Sequence, residues 1–170
     1  AGTKTHVVDS RKTIPGLRLA QKYAVRVGGG ANHRVGLYDG ILIKENHIAT
    51  AGGVTAALKD AYAIVGAPDV AARPEAPFIQ IEVERLDQLT EALQAGAKMV
   101  LLDNMTHEQI AEAVRINRDQ FNGQAVLEVS GNVSLDNIRS YAELGVDRIS
   151  SGSLTKHIRA TDYSMRVNAV

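Results

Sequence analysis

The sequence predicts an α/β fold, a partial, open barrel of about six parallel strands, and three observations predict it. Strand-like and helix-like runs alternate along the whole chain. Four of the strand-like runs are nearly continuous apolar stretches: Ile41-Leu42-Ile43, Phe78-Ile79-Gln80-Ile81, Met99-Val100-Leu101-Leu102 and Ala125-Val126-Leu127. Parallel strands covered by helices read this way. The phrases Ala95-Gly96-Ala97 and Leu144-Gly145-Val146-Asp147 each precede a strand and form the same helix-to-strand turn used twice. Repeated strand–helix units curl a sheet toward a TIM-like barrel, and six strands are too few to complete the usual eight.

The elements follow in order. Strands are predicted over residues 5–9, 40–44, 78–83, 99–103, 125–129 and 147–150. The helix over 16–27 opens beside Pro15 and stops on Gly28-Gly29-Gly30, which lacks the spacing of a dinucleotide fingerprint. A helix over 54–65 ends at Gly66, and one over 86–95 places Leu86, Leu89, Ala92 and Leu93 on one face before Gly96. Thr106-His107-Glu108-Gln109 has the form of a capping box ahead of Ile110, Ala113 and Val114. A helix over 134–144 is expected to begin at a Ser134 cap and end at Gly145. The connections 67–77 and 120–124 read as loops, the first Pro/Ala-rich and mobile.

Composition narrows the function. With 170 residues and 45% hydrophobic content, residues 1–170 form a single domain with one core. Nineteen basic and nineteen acidic residues cancel, so no global field favours nucleic acid or a membrane surface. Aromatics make up only 4% and Trp is absent, which removes the stacking platforms of single-strand binders. The chain has no Cys, which excludes disulfides and thiolate chemistry and fits a reducing cytosol. No apolar run approaches a membrane span. The first residues lie almost inside a strand, as expected of a chain whose beginning is missing or supplied elsewhere.

Three kinds of group fall at predicted strand carboxyl ends, where barrels place their chemistry. Arg11, Lys12, Arg34 and Lys44, with His33 beside them, are fixed cations suited to an anionic small molecule. Taken singly, each also reads as ordinary solvated charge. Glu82, Glu84, Asp103 and Glu128 are acidic, and alternation puts Glu82 and Glu84 on one strand face. Such carboxylates hold hydroxyls or Mg²⁺, or else pair with Lys12 or Lys44. Asp103-Asn104 also reads as a plain turn. Ser130-Gly131-Asn132 and Ser151-Gly152-Ser153 each follow a strand and precede a helix start, the pattern of a phosphate cup, or of tight turns. His47, His107 and His157 have no second ligand at metal spacing. These groups together suit a phosphosugar transferase or isomerase with a second, carboxylate-rich anion.

The runs Ser10-Arg11-Lys12-Thr13-x-Pro15-Gly16-Leu17-Arg18, Gly28-Gly29-Gly30-x-Asn32-His33-Arg34 and Ile43-Lys44-x-Asn46-His47-Ile48 resemble the quinolinate phosphoribosyltransferase family. The likeness continues through Glu82-Val83-Glu84, Leu102-Asp103-Asn104, Glu128-Val129-Ser130-Gly131-Asn132 and Leu154-Thr155-Lys156-His157, over essentially the whole chain. Ser10 and Ser153 stand where Thr and Ala are usual in the family. The resemblance implies transfer of phosphoribosyl from phosphoribosyl pyrophosphate to quinolinate, with Mg²⁺ and loss of CO₂, in NAD synthesis. It implies that Arg11, His33, Arg34 and Lys44 bind the quinolinate carboxylates, with Lys12 between carboxylate and phosphates and Ser10 beside them. Glu82 and Asp103 would hold the ribose hydroxyls and the metal, and with Lys44 would be the catalytic set. Ser130, Gly131, Asn132, Ser151, Gly152 and Ser153 would cradle the phosphates. Related readings are a phosphoribosyltransferase for another pyridine or azole carboxylate, and a non-catalytic phosphate-binding barrel fragment. The family likeness also implies a cytoplasmic homodimer or higher homo-oligomer, with an N-terminal domain that this chain does not carry.

Overall fold

In the computed structural model, which describes residues 2–71, 73 and 75–168, all six expected strands form and belong to one sheet. In chain order the elements are β1 (His6–Val8), α1 (Arg18–Val27), β2 (Gly40–Ile43), α2 (Glu45–Ala51), α3 (Val54–Gly66), α4 (Pro68–Ala71) and β3 (Phe78–Val83). They continue with α5 (Leu86–Gln94), β4 (Met99–Asp103), α6 (His107–Phe121), β5 (Val126–Ser130), α7 (Ile138–Glu143), β6 (Arg148–Ser150) and α8 (Ser153–Lys156). The sheet order is β1-β6-β5-β4-β3-β2, every pairing is parallel, and the sheet does not close on itself. This is the open α/β barrel that the alternating pattern predicted.

Strand alternation gives the sheet two unlike faces. Ile43, Ile81, Val83, Val100, Leu102, Leu127, Val129 and Ile149 pack with Leu58, Leu89, Leu93, Ile110 and Ala113 of the helices in one hydrophobic core. The intervening positions carry Gln80, Glu82, Asp103, Glu128, Ser130, Arg148 and Ser150. One side of the sheet is therefore the core and the other is polar. The register Glu82↔Leu101↔Glu128↔Arg148 follows this second face across four strands, with Leu101 its apolar member.

Beyond β1 the chain adds one more partner. Ala31 bridges Val8 in parallel, accepting from the Asp9 N–H at 3.2 Å and donating to the Val7 carbonyl at 2.8 Å. The segment after it crosses toward β2, where Arg34 Nη1 donates to the Gly40 carbonyl at 2.8 Å. His33 packs edge-on against Phe78 with ring centroids 5.3 Å apart. These side chains link the segment beside β1 to the start of β2 and β3, where the described residues form no continuous ladder.

Several local expectations need correction. The Thr106 capping box forms as predicted, Gln109 N–H donating to Thr106 Oγ1 at 3.3 Å and Thr106 N–H to Gln109 Oε1 at 2.8 Å. Ser134 is not a helix cap. Its N–H is taken by Asn137 Oδ1 at 2.8 Å, and Asn137 Nδ2 reaches back to the Asn132 carbonyl at 3.0 Å. That compact loop uses residues 132–137, so α7 begins only at Ile138. Two short helices, α2 and α4, went unpredicted. α2 starts directly after β2, where His47 Nδ1 accepts the Lys44 N–H at 2.9 Å. α4 begins on Pro68, a residue suited to a first helical position, inside the expected 67–77 loop; Ala72 and Pro74 of that loop lie outside the described residues. The helix start expected after the Ser151 loop is present as the single turn α8.

The core is packed from both sides by β4 and its covering helices, and Leu102 has no exposed surface. Leu102→Ala should lower unfolding stability by about 2–5 kcal/mol, read from the urea midpoint at unchanged slope.

Candidate active site

Because all strands are parallel, every strand carboxyl end lies on one rim. Val8 pairs with both Ser150 and Ala31, so the chain leaves toward Ser151 and toward Arg34 at the same end of the sheet. Beneath this rim lies a buried polar knot. The Asp9 carboxylate, fully buried, accepts from Lys22 Nζ at 2.5 Å, Asn32 Nδ2 at 2.6 Å and the His33 N–H at 2.8 Å. Lys22 Nζ also donates to the His33 carbonyl at 2.8 Å, and Asn32 Nδ2 to the Lys22 carbonyl at 2.8 Å. α1 thus turns Lys22 and Gln21 inward and leaves Leu19, Tyr23 and Val27 exposed.

The knot presents the cations. Arg34 is largely buried, and its guanidinium pKa is lowered first by that burial and then by the positive charge of Arg11. Two guanidinium groups held within electrostatic reach, with Asp39 the opposing charge, favour a bound anion. Arg18 steadies the Arg11 backbone, its Nη2 donating to the Arg11 carbonyl at 3.2 Å. Ser10 Oγ accepts the Lys12 N–H at 3.1 Å. His33 is turned inward: its Nε2 meets Gln80 Oε1 at 2.6 Å and its Nδ1 accepts the Arg34 N–H at 2.8 Å. Burial lowers its pKa, so this ring is a neutral neighbour of the cation pair rather than a third cation.

The acids sit further round the rim. Lys44 Nζ contacts both oxygens of Glu82, at 2.9 and 2.8 Å, which is the ion pair the sequence left open. Burial raises the Glu82 pKa; the Lys44 contacts oppose this, and the charges of Asp103 and Glu45 add to it. Asp103 Oδ2 accepts from Asn104 Nδ2 at 2.7 Å. Glu84 lies past the end of β3, exposed, with its N–H bonded to Gln88 Oε1 at 3.0 Å, and does not join Glu82. Among the described residues no group of three His, Asp or Glu could enclose a metal. Two neighbouring carboxylates suit Mg²⁺, which keeps waters and takes its remaining ligands from substrate phosphates.

The last two strands supply the third component, an open cleft of about 1190 Å³. Lys12, Asp103, Ser130, Gly131, Asn132, Ser151, Gly152 and Ser153 all line it. Gly131 has φ +99°, and a Cβ there would stand 2.3 Å from Asn104 Oδ1, so this position requires glycine. The Asn104 N–H donates to the Ser130 carbonyl at 3.2 Å and locks the two loops together. Ser151 and Ser153 share a hydrogen bond of 2.6 Å between their hydroxyls, and Gly152 lets Ser10 and Lys12 approach the second loop. Lys156, His157 and Arg159 add positive or titratable groups at its mouth.

A family model described as quinolinate phosphoribosyl transferase, C-terminal domain, matches residues 1–166. The chain belongs to this family. It is 45% identical over 164 residues to the nicotinate-nucleotide pyrophosphorylase [carboxylating] of Mycobacterium leprae, covering 96% of this chain and 54% of that protein. To the Homo sapiens protein of the same name it is 38% identical over 172 residues, covering 99% and 54%. The solved nicotinate-nucleotide pyrophosphorylase of Francisella tularensis superposes with a TM-score of 0.81 at 49% identity, covering 92% of this chain and 51% of that one. A thiamine phosphate pyrophosphorylase of Pyrococcus furiosus, 16% identical with a TM-score of 0.55, covers 89% and 87% and shares the fold alone. The chain spans about half the length of the curated relatives it matches. Among the described residues no helix is long and apolar enough to cross a membrane.

The family motifs thus converge on one rim in two groups. Lys12, Asp103 and the Ser130 and Ser151 loops line the cleft, while Arg11, Arg34, Lys44 and Glu82 stand beside it. Sequence reading passed over Gln80 and gave Glu128 no role of its own. The available signal was a glutamine within the apolar run of β3, where a doubly covered strand offers it no solvent. Glu82 carries a pKa raised above its unfolded value, so its contribution favours folding below the unfolded pKa and is lost as pH rises through the folded one. Glu82→Gln should therefore flatten the fall in thermal stability across the carboxylate range, read as Tm from pH 4 to 7.

Proposed function

We propose that this domain transfers phosphoribosyl from phosphoribosyl pyrophosphate to the ring nitrogen of quinolinate, with loss of the 2-carboxylate as CO₂. The products are nicotinate mononucleotide and pyrophosphate. One observation carries the reading: a guanidinium pair and a two-loop cup flank an acidic pair on the same rim. Quinolinate is a planar dicarboxylate, and the forks of Arg11 and Arg34 suit such an anion. The Ser130-Gly131-Asn132 and Ser151-Gly152-Ser153 loops offer hydroxyls and close backbone approach to the 5-phosphate, with Lys12 between the two anions.

Much of the rate gain would come from holding the ring nitrogen in line with C1 of the ribose. As the C1–O bond breaks, its electron pair leaves with pyrophosphate and C1 becomes cationic. The carboxylates of Glu82 and Asp103 can stabilise that charge while binding the ribose hydroxyls. Lys44, paired with Glu82, keeps that carboxylate oriented and sits where a substrate carboxylate would compete for it. The ring nitrogen then bonds C1. When CO₂ departs, its bonding pair stays on the ring carbon beside the cationic nitrogen and takes up a proton. No side chain need act as a nucleophile. Mg²⁺ held by Asp103 and Glu82 together with pyrophosphate oxygens would supply charge neutralisation for the leaving group. A cytoplasmic homodimer or higher homo-oligomer belongs to the same proposal, and the exposed Leu19, Tyr23 and Val27 of α1 support an assembled form.

Arg34→Ala tests the anion assignment by calorimetry. Quinolinate affinity should fall about 10- to 100-fold, as expected for loss of a charge-assisted contact, while phosphoribosyl pyrophosphate binding changes less than about threefold. An equal effect on both ligands, or on neither, would refute the assignment. Gly131→Ala should show the opposite selectivity, weakening the phosphorylated substrate through its clash with Asn104.

A further inference from the structure

We propose that Gln80 and Glu128 are positioning residues: a buried relay running from Glu128 through Gln80 to His33 holds the backbone of Arg34 in place. The proposal rests on the reading that Arg34 binds a substrate carboxylate, and it concerns residues that touch no substrate.

Both relay side chains are without exposed surface. Gln80 Nε2 donates to Glu128 Oε2 at 3.2 Å. An amide has one donating and one accepting end, so this contact turns Gln80 Oε1 toward His33 Nε2, 2.6 Å away. That nitrogen must therefore carry the proton, and Nδ1 is left as an acceptor. It accepts the Arg34 N–H at 2.8 Å. Each link fixes the next. The His33 main chain is held independently, its N–H by Asp9 and its carbonyl by Lys22. A ring in the other tautomer, or protonated, would set an N–H against the Arg34 N–H.

Among the described residues Glu128 Oε1 has no hydrogen-bond partner, lying 3.9 Å from His33 Nε2, while Arg148 Nε stands 3.8 Å from Oε2. A buried carboxylate with one oxygen unpartnered is costly to keep. Its one direct hydrogen bond orients the Gln80 amide. The groups facing the ring are Glu128 of β5, Arg148 of β6, Gln80 and Phe78 of β3, and Arg34. The Arg34 guanidinium is tethered to the Gly40 carbonyl, so a shift of its backbone would tilt the fork that remains free for an anion.

The test is long-range ¹H–¹⁵N spectroscopy of the His33 ring in the full chain, with quinolinate and phosphoribosyl pyrophosphate titrations alongside. The wild-type ring should be neutral with the proton on Nε2, and Gln80→Met should mix the two tautomers and weaken quinolinate about tenfold, leaving phosphoribosyl pyrophosphate within about threefold. Glu128→Gln can still accept from Gln80 and should keep the wild-type tautomer and affinity. A wild-type proton on Nδ1 overturns the relay, as does a folded Gln80→Met protein with unchanged ring and unchanged quinolinate affinity. The wild-type spectrum decides even if Gln80→Met does not fold. Failure of quinolinate to bind the wild type would instead count against the functional reading and leave the tautomer result standing.

Discussion

The carboxylate of Asp9 is the contact on which the rim depends. It is withdrawn from water and accepts three hydrogen bonds, from a helix, from a loop side chain and from a loop backbone. A carboxylate in that position is tolerable only because Lys22 brings the opposite charge to 2.5 Å and Asn32 and the His33 N–H add two further hydrogen bonds. Loss of one partner from a buried pair of this kind typically costs about 3–5 kcal/mol. The consequence here is geometric as much as energetic. The same contact ties β1, α1 and the Asn32-His33-Arg34 segment together, so the backbone from which Arg34 projects is set by groups that no ligand reaches.

The second constraint is the division of the sheet into two faces. Strand side chains alternate, and every apolar position on one side meets helices. The other side is left with Gln80, Glu128 and Arg148 in its depth, and Glu82, Asp103, Ser130 and Ser150 nearer the rim. A sheet that keeps most of its apolar side chains on one face can carry polarity on the other, where only Val8 and Leu101 of the buried core residues lie, provided each buried polar group finds a partner. Gln80 and His33 meet that condition, and Glu128 Oε1 departs from it. The polar side chains in the depth of that face lie beneath a rim that carries both cations and carboxylates.

Electrostatics along the rim are arranged in opposites. Arg11 and Arg34 repel each other and invite an anion, whereas Glu82, Asp103 and Glu45 crowd negative charge and are only partly answered by Lys44. Between them the Gly131 and Gly152 loops contribute little charge but allow close backbone approach. In the proposed reaction, each imbalance would face one part of the bound pair of substrates: carboxylates, phosphate, and a ribose carbon that becomes cationic.

Composition and periodicity alone established much of this. Apolar runs alternating with helical patterns placed the six parallel strands closely, because one face of each strand must pack into the helix-covered core. The Thr106 box and the Gly96 and Gly145 turns were equally legible, since each rests on bonds between residues near in sequence. The family motifs named the rim residues for the same reason: they recur as short, contiguous phrases. What the sequence could not decide was which partners those residues choose. Nothing in the chain order places Asp9 beside Asn32, or links Gln80 to both His33 and Glu128, across separations of 23, 47 and 48 residues. Those contacts exist only once the parallel sheet brings distant strands side by side. They turned the His33 ring, expected as a carboxylate ligand beside the cations, inward as a neutral neighbour of Arg34, and the same strand pairing set Lys44 against Glu82.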